Sequence, residues 1–283
     1  MSASVLFDAP GPRARRRSRI ASVVVIVVVL AGLGWVVFTL AQPRESGGIT
    51  VPGYFDWSRW EKPVTDPEFW GAVGRGLLNT LQAAAIAAVM ALIVGVLFAL
   101  LRTSPRAAVR VPVTIVLEFV RGMPVLLMML FILLVASTGA FWAVVLALGL
   151  YNGAIIGEAL RAGIASLPRG QREAGLSLGL TRLQTKMRIE FPQAFRQMLP
   201  IIVAQLVVLL KDTSLGFIVG YNELIRTTMN NLSSFYGNRY LFTLFFITLA
   251  IYLTVNLTLS WVARRLARRR SGVVQNPEND AVE

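Results

Sequence analysis

Apolar residues gather in six long runs, at about 19–41, 75–101, 113–137, 140–162, 197–220 and 240–263. Each is about 20 residues or more, the length an α-helix needs to cross a hydrocarbon core about 30 Å thick. The pattern predicts an all-α integral membrane protein with about six transmembrane helices. The first run exceeds a signal-peptide core, and no clean small-x-small cleavage site follows it, so it reads as a retained helix. Between the fourth and fifth runs lies a polar, basic stretch over 163–196. It is too charged to enter lipid and too regular for a passive linker.

That stretch can be built residue by residue. Residues 168–178 read as a short helix, with Pro168 at its start and Gly179 at the left-handed position past its end. Thr181 is an N-cap with Gln184 three residues on, a capping box. The second helix is expected to run to about Glu190, before Pro192. Two short helices joined by a tight glycine turn make a compact knob on the end of the fifth span. Such a knob can transmit a rigid push, which a loose loop cannot.

Charge sets the expected orientation. Arginines at 13, 15, 16, 17 and 19 precede the first span, and Arg102, Arg106 and Arg110 lie between the second and third. Seven basic residues from Arg161 to Arg196 lie between the fourth and fifth, and five arginines from Arg264 to Arg270 follow the sixth. These hold most of the 28 basic residues, so both termini and the 163–196 loop are expected in the cytoplasm. The net charge of +13 is then largely a topology signal. The basic clusters flank spans rather than interleaving with aromatics on one soluble face, so no nucleic-acid partner is predicted.

Composition agrees: 55% of residues are hydrophobic and 15% charged, against about 25% charged in soluble domains. There is no Cys and no His. That excludes disulfides, Fe–S clusters and thiol catalysis, and removes the commonest general base and transition-metal ligand. No catalytic residue, metal site or cofactor is predicted. No Gly-x-x-x-x-Gly-Lys-Ser/Thr loop occurs, so the chain does not hydrolyse ATP by that route. The expected organisation is a basic segment over 1–18, a first helix over 19–41 and an external loop over 42–74. A transmembrane domain over 75–265 and a basic, polar tail over 266–283 follow. The external loop carries Tyr54, Phe55, Trp57, Trp60, Phe69 and Trp70. It reads either as a strip along lipid headgroups or as a docking surface for an external partner.

Charged residues inside spans are costly and usually face a cavity or partner. By count from residue 197, Lys211 and Asp212 fall at mid-depth in the fifth span. Lys211 can meet a substrate carboxylate and Asp212 an ammonium; structural pairing is the other reading of each. Thr213 and Ser214 offer hydroxyls to a ligand or back to their own helix. Glu158 and Arg161, three apart, form a local ion pair or face the pathway and partner. Arg121, before Gly122 and Pro124, anchors at the interface or holds a carboxylate. Gly95, Gly149, Gly153, Gly157 and Gly163 permit close helix approach, within this chain or between subunits.

A resemblance rests on Glu173-Ala174-Gly175, three residues, Gly179, nine residues, then Ile189-Glu190-Phe191-Pro192. It resembles the cytoplasmic "EAA" loop of ABC-importer permeases, Glu-Ala-Ala, three residues, Gly, nine residues, Ile, one residue, Leu-Pro. Gly175 and Phe191 depart from that pattern. The stretch around Gly157-Glu158-Ala159-Leu160-Arg161-Ala162-Gly163-Ile164 is similar to the polar-amino-acid branch of that family. So are Glu118–Pro124 and Leu210–Leu215. The resemblance implies a bacterial plasma-membrane permease whose Glu173, Ala174, Gly175, Gly179, Ile189 and Pro192 seat on an ABC ATPase subunit pair. It also implies a sister permease or second copy, an extracytoplasmic amino-acid-binding protein, and lipid around the spans. The Val5–Pro12 start and added first span are similar to glutamate-uptake permeases of actinobacteria, implying glutamate as cargo. An ion- or proton-coupled carrier is the competing class, and a non-transporting scaffold a third; neither accounts for the 173–192 spacing.

Overall fold

The computed structural model describes residues 11–271 apart from residue 47. The Val5–Pro10 part of the glutamate-permease-like start and the tail beyond Ser271 lie outside the described residues. The chain divides at Thr65/Asp66 into two compact units.

The first unit begins with α1 (Pro12–Ala41), 30 residues long and about 45 Å. Pro12 stands where a helix's first N–H has no partner anyway. None of its residues is buried. A short antiparallel hairpin follows, β1 (Arg44–Ser46) with β2 (Ile49–Val51), Glu45 opposite Thr50. These are the only strands among the described residues, and the helical pattern did not anticipate them. The signal was Ser46-Gly47-Gly48-Ile49, a glycine pair suited to a tight turn. A 3-10 turn (Trp57–Arg59) and α2 (Glu61–Thr65) complete the unit. Tyr54 lies against the guanidinium groups of Arg44 and Arg59, 5.3 and 4.8 Å from its ring centre. The Trp60 indole N–H donates to Tyr54 O at 3.0 Å. The Ser58 N–H and hydroxyl hold the Asp56 carboxyl below the usual carboxylate range.

The second unit opens with α3 (Pro67–Arg102), which starts before the apolar run because Asp66 caps the Glu68 N–H at 2.9 Å. Next come α4 (Ala107–Gly122) and α5 (Val125–Val135), bent by 105°. The run at 113–137 is therefore not one straight helix. Pro124 cannot donate and forces Met123 into extended geometry (ψ 131°), which ends α4. Then follow α6 (Ala140–Ala165), α7 (Arg169–Ser177) and α8 (Arg182–Thr185). A π-helical turn (Lys186–Glu190) leads into α9 (Phe191–Asp212) and a 3-10 turn (Thr213–Phe217). A second π segment (Arg226–Leu232), α10 (Ser233–Tyr236), a 3-10 turn (Asn238–Tyr240) and α11 (Leu241–Ser271) close the unit.

The core forms where α3 meets α6. Gly76, Thr80, Ala83, Ala87, Ala91, Gly95 and Ala99 recur at helical spacing and are buried. A Cβ on Gly153 of α6 would lie 2.7 Å from Val94 Cγ1 and 3.2 Å from Ala91 O. One on Gly157 would lie 3.0 Å from Gly95 O. Small residues let the two backbones approach, so the Gly153/Gly157 pair serves packing within the chain. Helix α9 runs antiparallel to α6: Gly163 faces Met198 and Ala194, and Gln205 Nε2 donates to Asn152 Oδ1 at 2.7 Å. A second apolar cluster joins Phe69 and Val73 to Leu224, Tyr240 and Leu244.

Candidate functional site: the α7 hairpin and the end of α9

Helix α7 starts after Pro168 and ends at a turn in which Gly179 takes φ +79°, a conformation that disfavours side chains. Thr181 Oγ1 accepts from the Gln184 N–H, and Gln184 Oε1 accepts from the Thr181 N–H at 2.8 Å. The second limb does not stop before Pro192. The π turn absorbs the proline: Phe191 N–H reaches back five residues to Lys186 O, and the helix runs on through Pro192. Arg182–Phe217 is thus one helical stretch of 36 residues, about 54 Å.

Glu173 and Ala174 are exposed on α7, whereas Gly175 is buried. A Cβ on Gly175 would lie 2.6 Å from Thr185 Cγ2 and 3.0 Å from Ile189 Cδ1. The two limbs therefore touch where the EAA pattern has its second alanine. Arg172 Nε pairs with the buried Glu190 carboxylate at 3.1 Å, and Gln193 donates to Gln171 at 3.1 Å. Lys186 Nζ donates to Thr103 O at 2.7 Å, tying the hairpin to the end of α3. Gly179 and Pro192 are exposed, and Ile189 is half-buried.

Lys211 and Asp212 form the last turn of α9, where it passes into the 3-10 turn. Because the helix starts well before residue 197, these residues lie at its far end from the hairpin, not midway along it. Lys211 is exposed and Asp212 half-buried, and neither makes an ion pair with the described residues. Thr213 is fully buried and its hydroxyl donates to Leu210 O at 2.6 Å. Ser214 beside it is half-buried.

Arg121 and Glu158 are not brought to this place. The α6–α9 pairing puts Glu158 about 17 Å along the bundle from Lys211. Glu158 accepts from Arg102 and from Arg161, the latter at 2.6 Å. Arg102 also reaches Glu118 at 3.0 Å, and Arg121 reaches Glu118 at 3.4 Å. This cluster ties together the adjoining ends of α3, α4 and α6.

Glu223 was missed by the reading of the sequence. Fully buried, it accepts from the N–H groups of Ile225 and Arg226 at 2.8 and 2.7 Å and from the Tyr252 hydroxyl at 2.8 Å. Thr80 Oγ1 accepts the Leu224 N–H at 3.0 Å. One carboxylate thus caps the segment after α9 and ties it to α11. A lone acid in a short polar loop carries no periodic signal; its place at the head of a helical run was the only hint.

Several helices long and apolar enough to cross a membrane, with a polar hairpin between two of them, define a multi-pass membrane protein. The family of binding-protein-dependent transport system inner membrane components matches residues 69–272, and the chain belongs to it. It is a multi-pass membrane component of an ABC importer, with ATP hydrolysis in a separate subunit.

The chain is 36% identical over 225 residues to the glutamate transport system permease protein GluD of Corynebacterium glutamicum, covering 77% of this chain and 81% of GluD. It is 32% identical over 201 residues to the probable glutamine ABC transporter permease protein GlnP of Bacillus subtilis, covering 69% and 92%. A crystal structure of an amino acid ABC transporter with histidines superposes with a TM-score of 0.64 at 29% identity, covering 71% of this chain and 95% of that one. An inward-facing MetNI methionine transporter gives 0.61 at 17% identity, covering 73% and 99%, a likeness of fold alone.

Proposed function

We propose that the chain forms the translocation path for glutamate and that α7 with its Gly179 turn seats on an ATPase subunit. The carrying observation is mechanical. Glu173 and Ala174 stand exposed on a helix whose buried side, at Gly175, packs on Thr185 and Ile189. Those residues continue without a break into α9. A displacement of α7 is thereby delivered to the turn carrying Lys211 and Asp212, moving packed helices as a group. The excess of basic residues in these segments supports a cytoplasmic position for α7 and both termini. A second copy or a sister permease completes the path, and an external binding protein delivers the cargo.

Glutamate carries two carboxylates and one ammonium. The unpaired Lys211 ammonium suits a carboxylate, and the unpaired Asp212 carboxylate suits the ammonium. Thr213 spends its donor on its own helix, which leaves Ser214 as the hydroxyl nearer the path. Arg121 and Glu158 act by holding helix ends rather than by touching cargo.

Two measurements test this. Affinity purification from solubilised membranes compares the wild type with Glu173→Lys and Gly179→Asp. The ATPase is expected with the wild type and absent from both variants while the permease stays folded; retention in both would end the coupling assignment. In proteoliposomes of the whole complex, Lys211→Gln is expected to lower glutamate uptake at least tenfold with ATPase assembly intact. Unchanged uptake would remove Lys211 from the path.

A further inference from the structure

Behind the hairpin, the end of α3, the following loop, the start of α4 and the α7–α8 limbs enclose a cavity of about 720 Å³. Its lining gathers Arg110, Arg172, Arg182 and Lys186 and contains no acidic side chain. Glu190 pairs with Arg172 at 3.1 Å and also acts on Lys186, so one acid faces two of these cations. Arg110 and Arg182 make no ion pair with the described residues. The largely buried Lys186 gives two hydrogen bonds to Thr103, at 2.7 and 3.0 Å, leaving its third N–H without an acceptor among the described residues. Gathering four cations around one space is unfavourable unless an anion shares it.

Apart from Thr103 and Ser104 the rest of the lining is apolar, with Leu100, Leu101, Leu176 and Leu183 among it. Leu101 ends an apolar span, and Leu97, one turn earlier, is also exposed. The cavity therefore opens at the level where hydrocarbon gives way to headgroups. A free phosphate would use the cations and leave the leucines wet. A molecule that is anionic at one end and hydrocarbon at the other satisfies both walls.

We propose that this cavity binds the phosphate headgroup of an anionic phospholipid, its acyl chains lying along Leu97 and Leu101. One phosphate shared by Arg110 of α4, Arg172 of α7, and Arg182 and Lys186 of the second limb would tie three elements together at the root of the hairpin. This is an assignment of a ligand site and stands whether or not α7 seats on an ATPase.

The test uses the full-length permease, delipidated in mild detergent, with lipid binding followed by native mass spectrometry. Phosphatidylglycerol, phosphatidylcholine and inorganic phosphate are the probes. Phosphatidylglycerol should bind saturably, phosphatidylcholine should not, and millimolar phosphate should fail to displace the lipid. Arg110→Gln/Arg182→Gln should weaken phosphatidylglycerol about thirtyfold, at about fivefold for each cation removed. Arg110→Lys/Arg182→Lys should retain most of the binding and serves as the control for folding. Equal binding of both lipids, or phosphatidylglycerol binding indifferent to the Gln pair, would overturn the assignment. Displacement by phosphate with the same sensitivity would make this a soluble-anion site and overturn the lipid.

Discussion

Gly175 stands where the EAA pattern has its second alanine, and the packing gives a reason for the departure. The methyl of alanine would overlap Thr185 Cγ2 and crowd Ile189 Cδ1. Gly175→Ala is therefore expected to push the two limbs apart at a cost of about 1–3 kcal/mol. Thr185→Ala in the same chain should restore most of it. That change removes the clashing methyl together with a buried hydroxyl that has no hydrogen-bond partner among the described residues. Thermal unfolding of the four corners of this cycle measures the coupling; additive effects would mean that the limbs do not touch here. A second residue-scale prediction concerns Tyr236, whose hydroxyl donates to Asp66. Burial, then the Asp66 carboxylate, push its pKa from 10.0 up to about 12. The folded state holds this proton more tightly, so the contribution is complete below pH 10 and is lost as pH rises through about 12. Tyr236→Phe should lack that part of the alkaline loss of stability, read as a smaller fall in melting temperature between those two pH values.

Among the elements, the α3–α6 contact is the tightest described, backbone against backbone through Gly95, Gly153 and Gly157. Gly153→Leu is expected to cost 1–3 kcal/mol or more, seen as a lower melting temperature in detergent, because its side chain must displace Val94 and the Ala91 carbonyl. An unchanged midpoint would contradict the packing. The hairpin was legible in the sequence because its stops are chemical: Pro168, Gly179, and the Thr181–Gln184 box. The continuity of its second limb was not legible, because Pro192 reads as a terminator unless the π turn before it is known. The third apolar run also concealed its bend, since both arms are apolar and Pro124 alone marks the break. Lys211 and Asp212 were legible as unusual charges, and only the fold shows that they stand in the last turn of α9. Arg121 and Glu158 looked equally suited to a pathway, and only the fold separates them from Lys211. The Tyr252 partner of Glu223, in α11, is too distant in sequence for any local pattern to join the two.

At the scale of the whole molecule, the division at Thr65/Asp66 separates a unit whose helix α1 buries none of its residues from the helical bundle. The matched family region begins at residue 69, inside the second unit. A chain beginning at Asp66 with an added initiator is expected to insert, stay monodisperse in detergent and melt within a few degrees of the full chain. Aggregation of that shortened chain would show that the bundle needs its first helix.

The π turn at Lys186–Glu190 has a consequence for how the two ends of the molecule are phased. Each residue of an α-helix advances the chain by about 100° around its axis. Rewinding the same five residues into ordinary α-geometry would leave the composition unchanged. It would also swing α7 through roughly a quarter-turn relative to Lys211 and Asp212. Such a rewinding acts as a change of timing between two gears on one shaft: each gear keeps its teeth, but they no longer engage their partners together. Where the hairpin points is therefore set by how this one turn is wound as much as by the side chains it displays.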